Sequence, residues 1–371
     1  MLAGCRQQVQ DDASAISFVK DQLSDDGSLL SRMSPLYRSV GSRGSIYVVG
    51  ESSRVLAMGD EFLAADWYNN VSGRRRDDLL PDFSGEVISL VLDSANAPYG
   101  GYVSAGNEEY LRELTVRNVL SVLDTVCYVS PYDREGLGAK RMPKMIVLAS
   151  SYAPAYGKAD VDSLFRAAGI NVPVITPYGA MLSKLFDGTK GDLIVGVMST
   201  GEDLFAGLYS SVFQREARRN GRNASECVVF SAKGENGFLK RFADNYAAAG
   251  YTRPMDALLV DDVNVDPDAL RAEYEELVSV HNPHSLTYGR IFNDGFRIID
   301  CRRALTDACY AALRSRNNFA NRIAYPQIEK YLTVPLTDDD KYSRSPGQKD
   351  AATYMLIQYS DRYYTEEDVQ D

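Results

Sequence analysis

Short runs of apolar and β-branched residues alternate with amphipathic segments along most of the chain. The runs predict β-strands at Ile46–Val49, Val87–Leu92, Val126–Val129, Met145–Leu148, Val172–Thr176, Leu193–Val197, Cys227–Phe230, Ala257–Val260 and Phe296–Ile299. The segments between them predict helices at Asn107–Leu123, Asp160–Ala168, Glu202–Arg219, Asn236–Ala249, Asp268–Val278 and Arg302–Arg314. Unbroken apolar strands separated by helices are typical of parallel sheets covered on both faces. The pattern therefore predicts the α/β class.

The strand–helix pattern occurs twice. One set runs from Glu86 to Thr176, and a second runs from Asp192 to about Ile299. A chain of 371 residues also exceeds the size at which a single core stops growing. We expect two Rossmann-like lobes, each with a parallel sheet flanked by helices, joined by a hinge near Tyr178–Asp192. The predicted divisions are a lipoprotein tether with an N-terminal helix (1–40), a first lobe (41–185), a second lobe (186–320), and a C-terminal return segment and tail (321–371).

The charge balance narrows the classes of partner. The formal net charge is −11, and no stripe of Lys and Arg offsets it. Arg74, Arg75 and Arg76 precede two aspartates, which predicts a solvated loop. We therefore expect no nucleic-acid partner and no direct contact with an anionic membrane.

The first residues carry a possible lipidation signal. Leu2-Ala3-Gly4-Cys5 resembles the processing site of bacterial lipoproteins, where the cysteine is lipidated, and the polar stretch after it suits a tether. The charged and apolar parts of a signal peptide do not precede it, as in a chain whose signal peptide was trimmed. We expect lipidation at Cys5 and a place in the bacterial cell envelope, in the periplasm or at the outer membrane. The alternative is a chance tetrapeptide in a cytosolic protein.

The order of several motifs resembles a known family. In "FSAKGENGFLKRFADNYAAAGY", Gly237-Phe238 opens a helix that Gly250 closes, and "MDALLVDD" ends a strand on Asp261-Asp262. This order resembles the type I periplasmic binding-protein fold, shared by sugar-binding transport proteins and the ligand-binding part of lactose-repressor-type regulators. The sequence departs from the family where a ligand-clasping arginine is usual, because Gly234 or Glu235 stands there with Lys233 nearby.

Loops at the carboxyl ends of parallel strands are the expected binding positions, since ligands of open α/β sheets bind there. The candidate ligand-binding residues are Ser94, Asn96, Tyr99, Ser151, Tyr152, Ser199, Thr200, Glu202, Lys233, Glu235, Asn236, Asp261 and Asp262. Hydroxyls, amides, carboxylates and tyrosines suit a small polar, uncharged or cationic molecule. No phosphate-binding glycine spacing occurs, so no nucleotide cofactor is expected, and no metal site is expected.

Three other functions fit parts of the sequence. Ser199 lies at a strand–turn–helix junction, with Asp261 or Asp262 and then His281 or His284 downstream, which is the chain order of an α/β serine hydrolase. Val197, however, occupies the position where the sharp turn of such enzymes needs glycine. A racemase of paired lobes would need two reactive cysteines at strand ends, whereas Cys127 and Cys227 fall within predicted strands. A non-enzymatic surface protein that binds a protein partner is the third possibility.

Together these patterns predict a lipid-anchored solute-binding protein rather than an enzyme. It would hold a small polar, sugar-like solute between two lobes and pass it to a membrane transporter or signal to a sensor.

Overall fold

The apolar runs of the sequence form the strands of two β-sheets in a computed structural model of the chain. The structure describes residues 16–39, 41–132, 135–199, 204–231, 237–347 and 353–359. Its strands are β1 Ser45–Gly50, β2 Val87–Leu92, β3 Val126–Tyr128, β4 Leu137–Ala139, β5 Pro143–Leu148, β6 Val174–Ile175, β7 Ile194–Ser199, β8 Glu226–Ser231, β9 Met255–Val260, β10 Phe292–Asp300, β11 Gln327–Pro335 and β12 Tyr354–Gln358.

Helices connect most of these strands. They are α1 Ser17–Ser24, α2 Leu29–Met33, α3 Arg54–Ala64, α4 Gly100–Ser104, α5 Glu108–Leu123, α6 Lys158–Ala168, α7 Pro177–Phe186, α8 Leu204–Arg219, α9 Phe238–Ala248, α10 Pro267–Val278, α11 Ser285–Tyr288 and α12 Cys301–Ser315. Within the described residues, no helix combines the length and the apolar character needed to cross a membrane. The predicted α/β class is confirmed.

The chain divides into two units. Unit A is the segment Tyr178–Ala304, and unit B comprises the described residues before 178 and after 304, so the boundary falls at the start of α7 and within α12. Unit A contains a four-stranded sheet in the order β10-β9-β7-β8, and all of its strand pairs are parallel. The segment expected to be a hinge begins with the helix α7.

Unit B contains an eight-stranded sheet in the order β4-β3-β12-β11-β2-β1-β5-β6. Its central strands β11, β2, β1 and β5 are parallel, whereas β11 pairs with β12 and β3 pairs with β4 in antiparallel fashion. The sheet is therefore mixed, which departs from the wholly parallel sheet that was expected. The last two strands, β11 and β12, lie inside it, in the segment 321–371 that was expected to be a C-terminal return segment and tail.

Apolar side chains from both faces of the unit B sheet build its core. All six residues of β1 are buried, and helices α5 and α6 pack against one face with Val119, Val122 and Leu164. Gly157 starts α6 with φ +100, and a Cβ there would stand 2.3 Å from the Thr115 Cβ of α5. The glycine thus allows both the turn and the close approach of α6 to α5.

A buried ion pair lies at the amino ends of β2 and β5. Lys144 Nζ is 2.5 Å from a Glu86 carboxylate oxygen, and both side chains are fully buried. Lys144 also donates to the main-chain carbonyls of Ser42 and Asn318. Breaking such a pair leaves an uncompensated buried charge, so it ties the loops at the amino edge of the sheet together.

Candidate functional site

The carboxyl edge of the unit B sheet brings polar side chains from several strands together. Glu51 follows β1, Asp93 follows β2, and Ser150 lies two residues after β5. Thr333 of β11 lies one residue beyond the register pair Leu332 and Leu92, and so lies beside Asp93. Carboxyl ends of parallel strands are where ligands of α/β proteins bind, which makes this edge the candidate site.

Asp93 is the centre of a buried hydrogen-bond network. Its Oδ1 accepts from Asn96 Nδ2 and Thr333 Oγ1, both at 2.7 Å. Its Oδ2 accepts from Tyr99 Oη at 2.6 Å and from Asn118 Nδ2 at 2.7 Å. Asp93 is fully buried. With two donors on each oxygen, this carboxylate has the partners that a buried charge requires, and it anchors the loop after β2.

Tyrosine hydroxyls extend the network. Asn118 Nδ2 lies 2.9 Å from Tyr99 Oη, and Asn118 Oδ1 accepts from Tyr354 Oη at 2.8 Å. Burial raises the pKa of Tyr99 and Tyr354 well above the ordinary value, and the Asp93 charge adds to the effect. Both phenols therefore remain protonated donors at physiological pH.

Glu51 differs from Asp93 because one of its two carboxylate oxygens accepts no hydrogen bond from the described residues. Ser150 Oγ donates to Glu51 Oε1 at 3.2 Å, whereas Oε2 is buried and has no hydrogen-bond partner among the described residues. Burial is the main cause that raises the pKa of Glu51 to about 7, and the nearby Asp93 charge acts in the same direction. A hydrogen bond with its own main-chain N–H, the Ser150 hydrogen bond and the Arg54 charge act against them. The residue as a whole is partly exposed. Near neutral pH it is therefore present both as carboxylate and as acid, which suits proton transfer.

The loop after β5 completes this edge. Tyr152 N–H donates to Ser150 Oγ at 3.1 Å, which leaves the serine hydroxyl hydrogen free for Glu51. Gly100, the first residue of α4, lies so close to Tyr152 that a Cβ would stand 2.5 Å from its Oη. The loops after β2 and β5 therefore pack directly against each other beside Glu51.

The corresponding edge of unit A contains a smaller cluster. Tyr209 Oη donates to Asp261 Oδ2 and lies 3.5 Å from Ser199 Oγ, and all three residues are buried. Tyr178 Oη donates to the Tyr209 main-chain oxygen at 3.1 Å. Asp262 Oδ1 accepts from Asn264 N–H, so this carboxylate stabilises the turn after β9.

The predicted site residues divide into three groups. Asn96, Tyr99 and Tyr152 are buried at the unit B edge, next to partly exposed Ser151, whereas exposed Ser94 donates to the Thr333 main-chain oxygen. Ser199, Asp261 and Asp262 lie at the unit A edge. The residues that fall outside the described part of the chain are Cys5, Thr200, Glu202, Lys233, Glu235 and Asn236. The sequence analysis did not single out Glu51, Asp93, Asn118, Thr333 or Tyr354, although Asp93 directly follows one predicted strand and Glu51 lies two residues after another.

The geometry does not assemble the hydrolase triad. His281 and His284 are exposed in the connection between α10 and α11. Because α10 leads away from the carboxyl end of β9, they lie at the opposite edge of the unit A sheet from Ser199. Tyr209 contacts the serine instead, so the position expected for a general base holds a phenol.

Burial disfavours the reactive form of three of the described cysteines. Cys127, Cys227, Cys301 and Cys309 are free thiols. Burial raises the pKa of Cys127 and Cys309, and raises that of Cys227 to about 12. The reactive form of cysteine is the thiolate, so burial disfavours reaction at Cys127, Cys227 and Cys309. The described residues also contain no cluster of three or more His, Cys, Asp or Glu side chains suited to a metal ion.

No protein-family model matches the chain, and no curated protein matches it. Among solved structures, it is similar to a glutamate racemase from Bacillus anthracis, with 12% identity, a TM-score of 0.45, and coverage of 78% of this chain and 88% of that one. A glutamate racemase from Francisella tularensis in complex with D-glutamate has 16% identity and a TM-score of 0.46, and the match covers 80% of this chain and 90% of that one. An ABC transporter substrate-binding protein from Desulfitobacterium hafniense has 13% identity and a TM-score of 0.21, and the match covers 80% of this chain and 72% of that one.

These comparisons contradict the predicted function. The chain was expected to be a solute-binding protein rather than an enzyme, whereas the structures with the higher TM-scores are glutamate racemases, which are enzymes. The sequence resemblance rested on the order of strands and helices, which binding proteins and enzymes of the α/β class share. With TM-scores below 0.5, none of these similarities assigns an activity to this chain. An activity must be argued from the residues themselves.

Proposed function

We propose that this chain is an enzyme that moves a proton to or from a small polar substrate at the carboxyl edge of the unit B sheet. Glu51 carries the proposal, because its Oε2 is buried, has no partner among the described residues, and belongs to a carboxyl group whose pKa is about 7. A general acid–base residue works best when its pKa lies near the operating pH.

The neighbouring side chains support that role. Ser150 Oγ holds Glu51 Oε1, which leaves Oε2 as the oxygen that accepts or delivers the proton. Asp93 is saturated with donors and stays in place as a fixed negative charge that favours the protonated form of Glu51. The side chains thus have separate tasks, since Ser150 and Asp93 position and tune the group that transfers the proton.

The experiment measures proton exchange at carbon, a step that can be observed before the product is known. The protein is incubated in D₂O with a panel of amino acids, hydroxy acids and sugars, and deuterium uptake is followed by proton NMR. The panel includes both enantiomers of glutamate, because D-glutamate is bound in one of the structures compared above. We expect exchange into at least one member, and a loss of about 10²–10⁴-fold in Glu51→Gln, the usual share of a general acid–base group.

Glu109→Gln is the matched control, because Glu109 is exposed on α5 of the same unit. It should exchange at the wild-type rate. If Glu51→Gln keeps the wild-type rate, or if no panel member exchanges, proton transfer by Glu51 at carbon is wrong.

Several predictions from the sequence are kept as proposals. Lipidation of Cys5, and with it a place in the cell envelope, is supported by Leu2-Ala3-Gly4-Cys5 and is tested by the intact mass of protein extracted from membranes. The resemblance to type I periplasmic binding proteins is kept as a proposal for the order of strands and helices. A small polar molecule is kept as the partner, now as a substrate.

A further inference from the structure

The amino edge of the unit B sheet, opposite the proposed active edge, concentrates arginine side chains. It is built by the loops that precede β1, β2, β6 and β11. Six exposed arginines, five from three of these loops and Arg314 from the last turn of α12, form what we call the arginine edge: Arg43, Arg74, Arg76, Arg314, Arg316 and Arg322. The net charge of −11 is a sum over the whole chain, so it does not show this local concentration of positive charge.

Hydrogen bonds show that these loops lie together. Arg314 donates to the Ser72 main-chain oxygen at 2.7 Å, and Arg322 donates to that of Gly85 at 3.0 Å. Arg316 donates to the Asn171 main-chain oxygen at 2.9 Å, and the Gly85 N–H donates to Ala324 at 2.6 Å. The acceptors of the three arginines are neutral carbonyls, so the positive charges are not cancelled. A guanidinium has five N–H donors, and each of these keeps donors for another partner.

The carboxylates of the 66–86 loop are mostly directed into the loop itself. Asp66 accepts from the N–H groups of Asp78 and Leu79, and Asp82 accepts from those of Trp67 and Tyr68. Asp78 and Glu86 are likewise engaged, the first by main-chain N–H groups and the second by Lys144. Asp77 is the remaining, exposed carboxylate of this loop. A main-chain N–H is neutral and does not cancel the charge of a carboxylate, so exposure decides the sign of this surface. Six exposed arginines stand against the exposed Asp77, whereas Asp66 and Asp78 are partly buried and Asp82 and Glu86 are buried. The exposed charge of the edge is therefore mostly positive.

Large apolar side chains project from the same loops. Leu79 is 88% exposed, Ile323 is 87% exposed and Tyr325 is 80% exposed. Leu79 has φ +67, a conformation that is costly for a branched side chain, and the Asp66 carboxylate accepts its N–H. The loop therefore holds this apolar side chain outward rather than packing it inside.

From this combination we infer that the arginine edge docks on a lipid bilayer with anionic headgroups. Guanidinium groups bind phosphate oxygens in bidentate geometry, and exposed apolar side chains enter the boundary between headgroups and acyl chains. Charges elsewhere on the chain are screened over about 8 Å at physiological ionic strength, so the local positive charge decides binding. The inference does not depend on the proposed activity or on lipidation of Cys5.

The experiment is co-sedimentation of the full chain with vesicles of roughly one third phosphatidylglycerol in phosphatidylcholine, and with vesicles of phosphatidylcholine alone. We expect binding to the anionic vesicles only, weakening as salt is raised. Arg74→Gln/Arg76→Gln should reduce the partition coefficient about 30-fold, since each arginine near an anionic surface contributes about 1 kcal/mol. The side chains of Arg74 and Arg76 are exposed and form no hydrogen bond with other described residues, so the variant should fold normally.

A second variant tests the apolar part. Ile323→Ser/Tyr325→Ser should also bind more weakly by tenfold or more, because both side chains would enter the bilayer boundary. The controls are Lys190→Gln/Arg219→Gln and Leu286→Ser, exposed side chains of unit A, and they should bind as the wild type does.

Three outcomes would overturn the inference. These are no binding to anionic vesicles at low salt, binding that the unit B variants do not weaken, and binding of a soluble polyglutamate as tight as that of the vesicles. The last result would identify an acidic protein as the partner.

Discussion

Replacement of Glu51 by Gln should stabilise unit B, and more so as the pH rises. The folded chain holds the Glu51 proton up to about pH 7, whereas the unfolded chain releases it near the ordinary value of 4.5. Between these values the folded state binds more protons, so the free energy of unfolding falls as the pH rises through this window. The stability linked to this proton is complete below about 4.5 and is lost above about 7. Gln carries no charge at any pH and avoids the loss.

The size of the effect follows from the pKa difference. At ~1.4 kcal/mol per pKa unit, the interval from 4.5 to 7 sets an upper limit of ~3.4 kcal/mol on the free energy of unfolding that the wild type loses as Glu51 ionises. Partial exposure of Glu51 reduces this limit, so we expect Glu51→Gln to gain about 1–3 kcal/mol over the wild type between pH 5 and pH 8.

The assay is urea unfolding at several pH values, followed by tryptophan fluorescence. Trp67 is the one tryptophan of the chain, and it lies in unit B with Glu51. Its signal therefore reports unfolding of the relevant unit even if the two units unfold separately. Glu109→Gln is again the control, and its difference from the wild type should not change with pH. A Glu51→Gln difference that is flat between pH 5 and pH 8 would refute the raised pKa and the burial that causes it.

Three other substitutions test the framework of unit B with the same tryptophan signal. Asp93→Asn replaces one carboxylate oxygen, which accepts from two donors, by an NH₂ group that cannot accept. It should therefore lower the free energy of unfolding by about 2–3 kcal/mol. Lys144→Met should lower the free energy of unfolding by about 3–5 kcal/mol because it leaves Glu86 buried and unpaired. Adding Glu86→Leu should recover most of this loss. Equal losses in the single and double variants would contradict the reasoning. Gly157→Ala should lower the free energy of unfolding more than Gly169→Ala does. Both glycines have positive φ, but only at Gly157 would a Cβ meet a neighbour, the Thr115 Cβ at 2.3 Å. Equal losses at the two glycines would show that α6 can move away from α5.

The sequence predicted the parts of the fold that rest on local pattern. The predicted strand Val87–Leu92 is β2 residue for residue, and the predicted helix Asp268–Val278 begins one residue after the start of α10. A parallel strand with both faces buried needs an unbroken apolar run, and an amphipathic helix needs its 3.6-residue period, so both are visible within one short window.

Pairing between distant segments could not be predicted in the same way. Strand β11 contains Glu329 and Lys330 and has no unbroken apolar run, although it lies in the interior of the sheet next to β2. Its position is set by main-chain pairing with residues about 240 positions away, which leaves no local trace in the sequence. The mixed character of the unit B sheet was missed for this reason.

The candidate site shows the same limit. The rule that ligands bind at the carboxyl ends of strands indicated the kind of edge at which the candidate site is proposed, and it led to Asn96, Tyr99 and Tyr152. Glu51 also follows a predicted strand, but its unusual pKa arises from burial and from Asp93, which only the assembled sheet supplies. A raised carboxyl pKa is a property of the environment and cannot be deduced from the residue type.

The proposed function depends most on the protonation of Glu51, and carbon-13 NMR of the glutamate side-chain carboxyl groups measures that protonation directly. The signal that disappears in Glu51→Gln should titrate with a midpoint near pH 7, well above the other resolved glutamates. A midpoint near the ordinary value of 4.5 would show an exposed, fully ionised carboxylate at neutral pH. In that case Glu51 could not act as the proposed proton-transfer group.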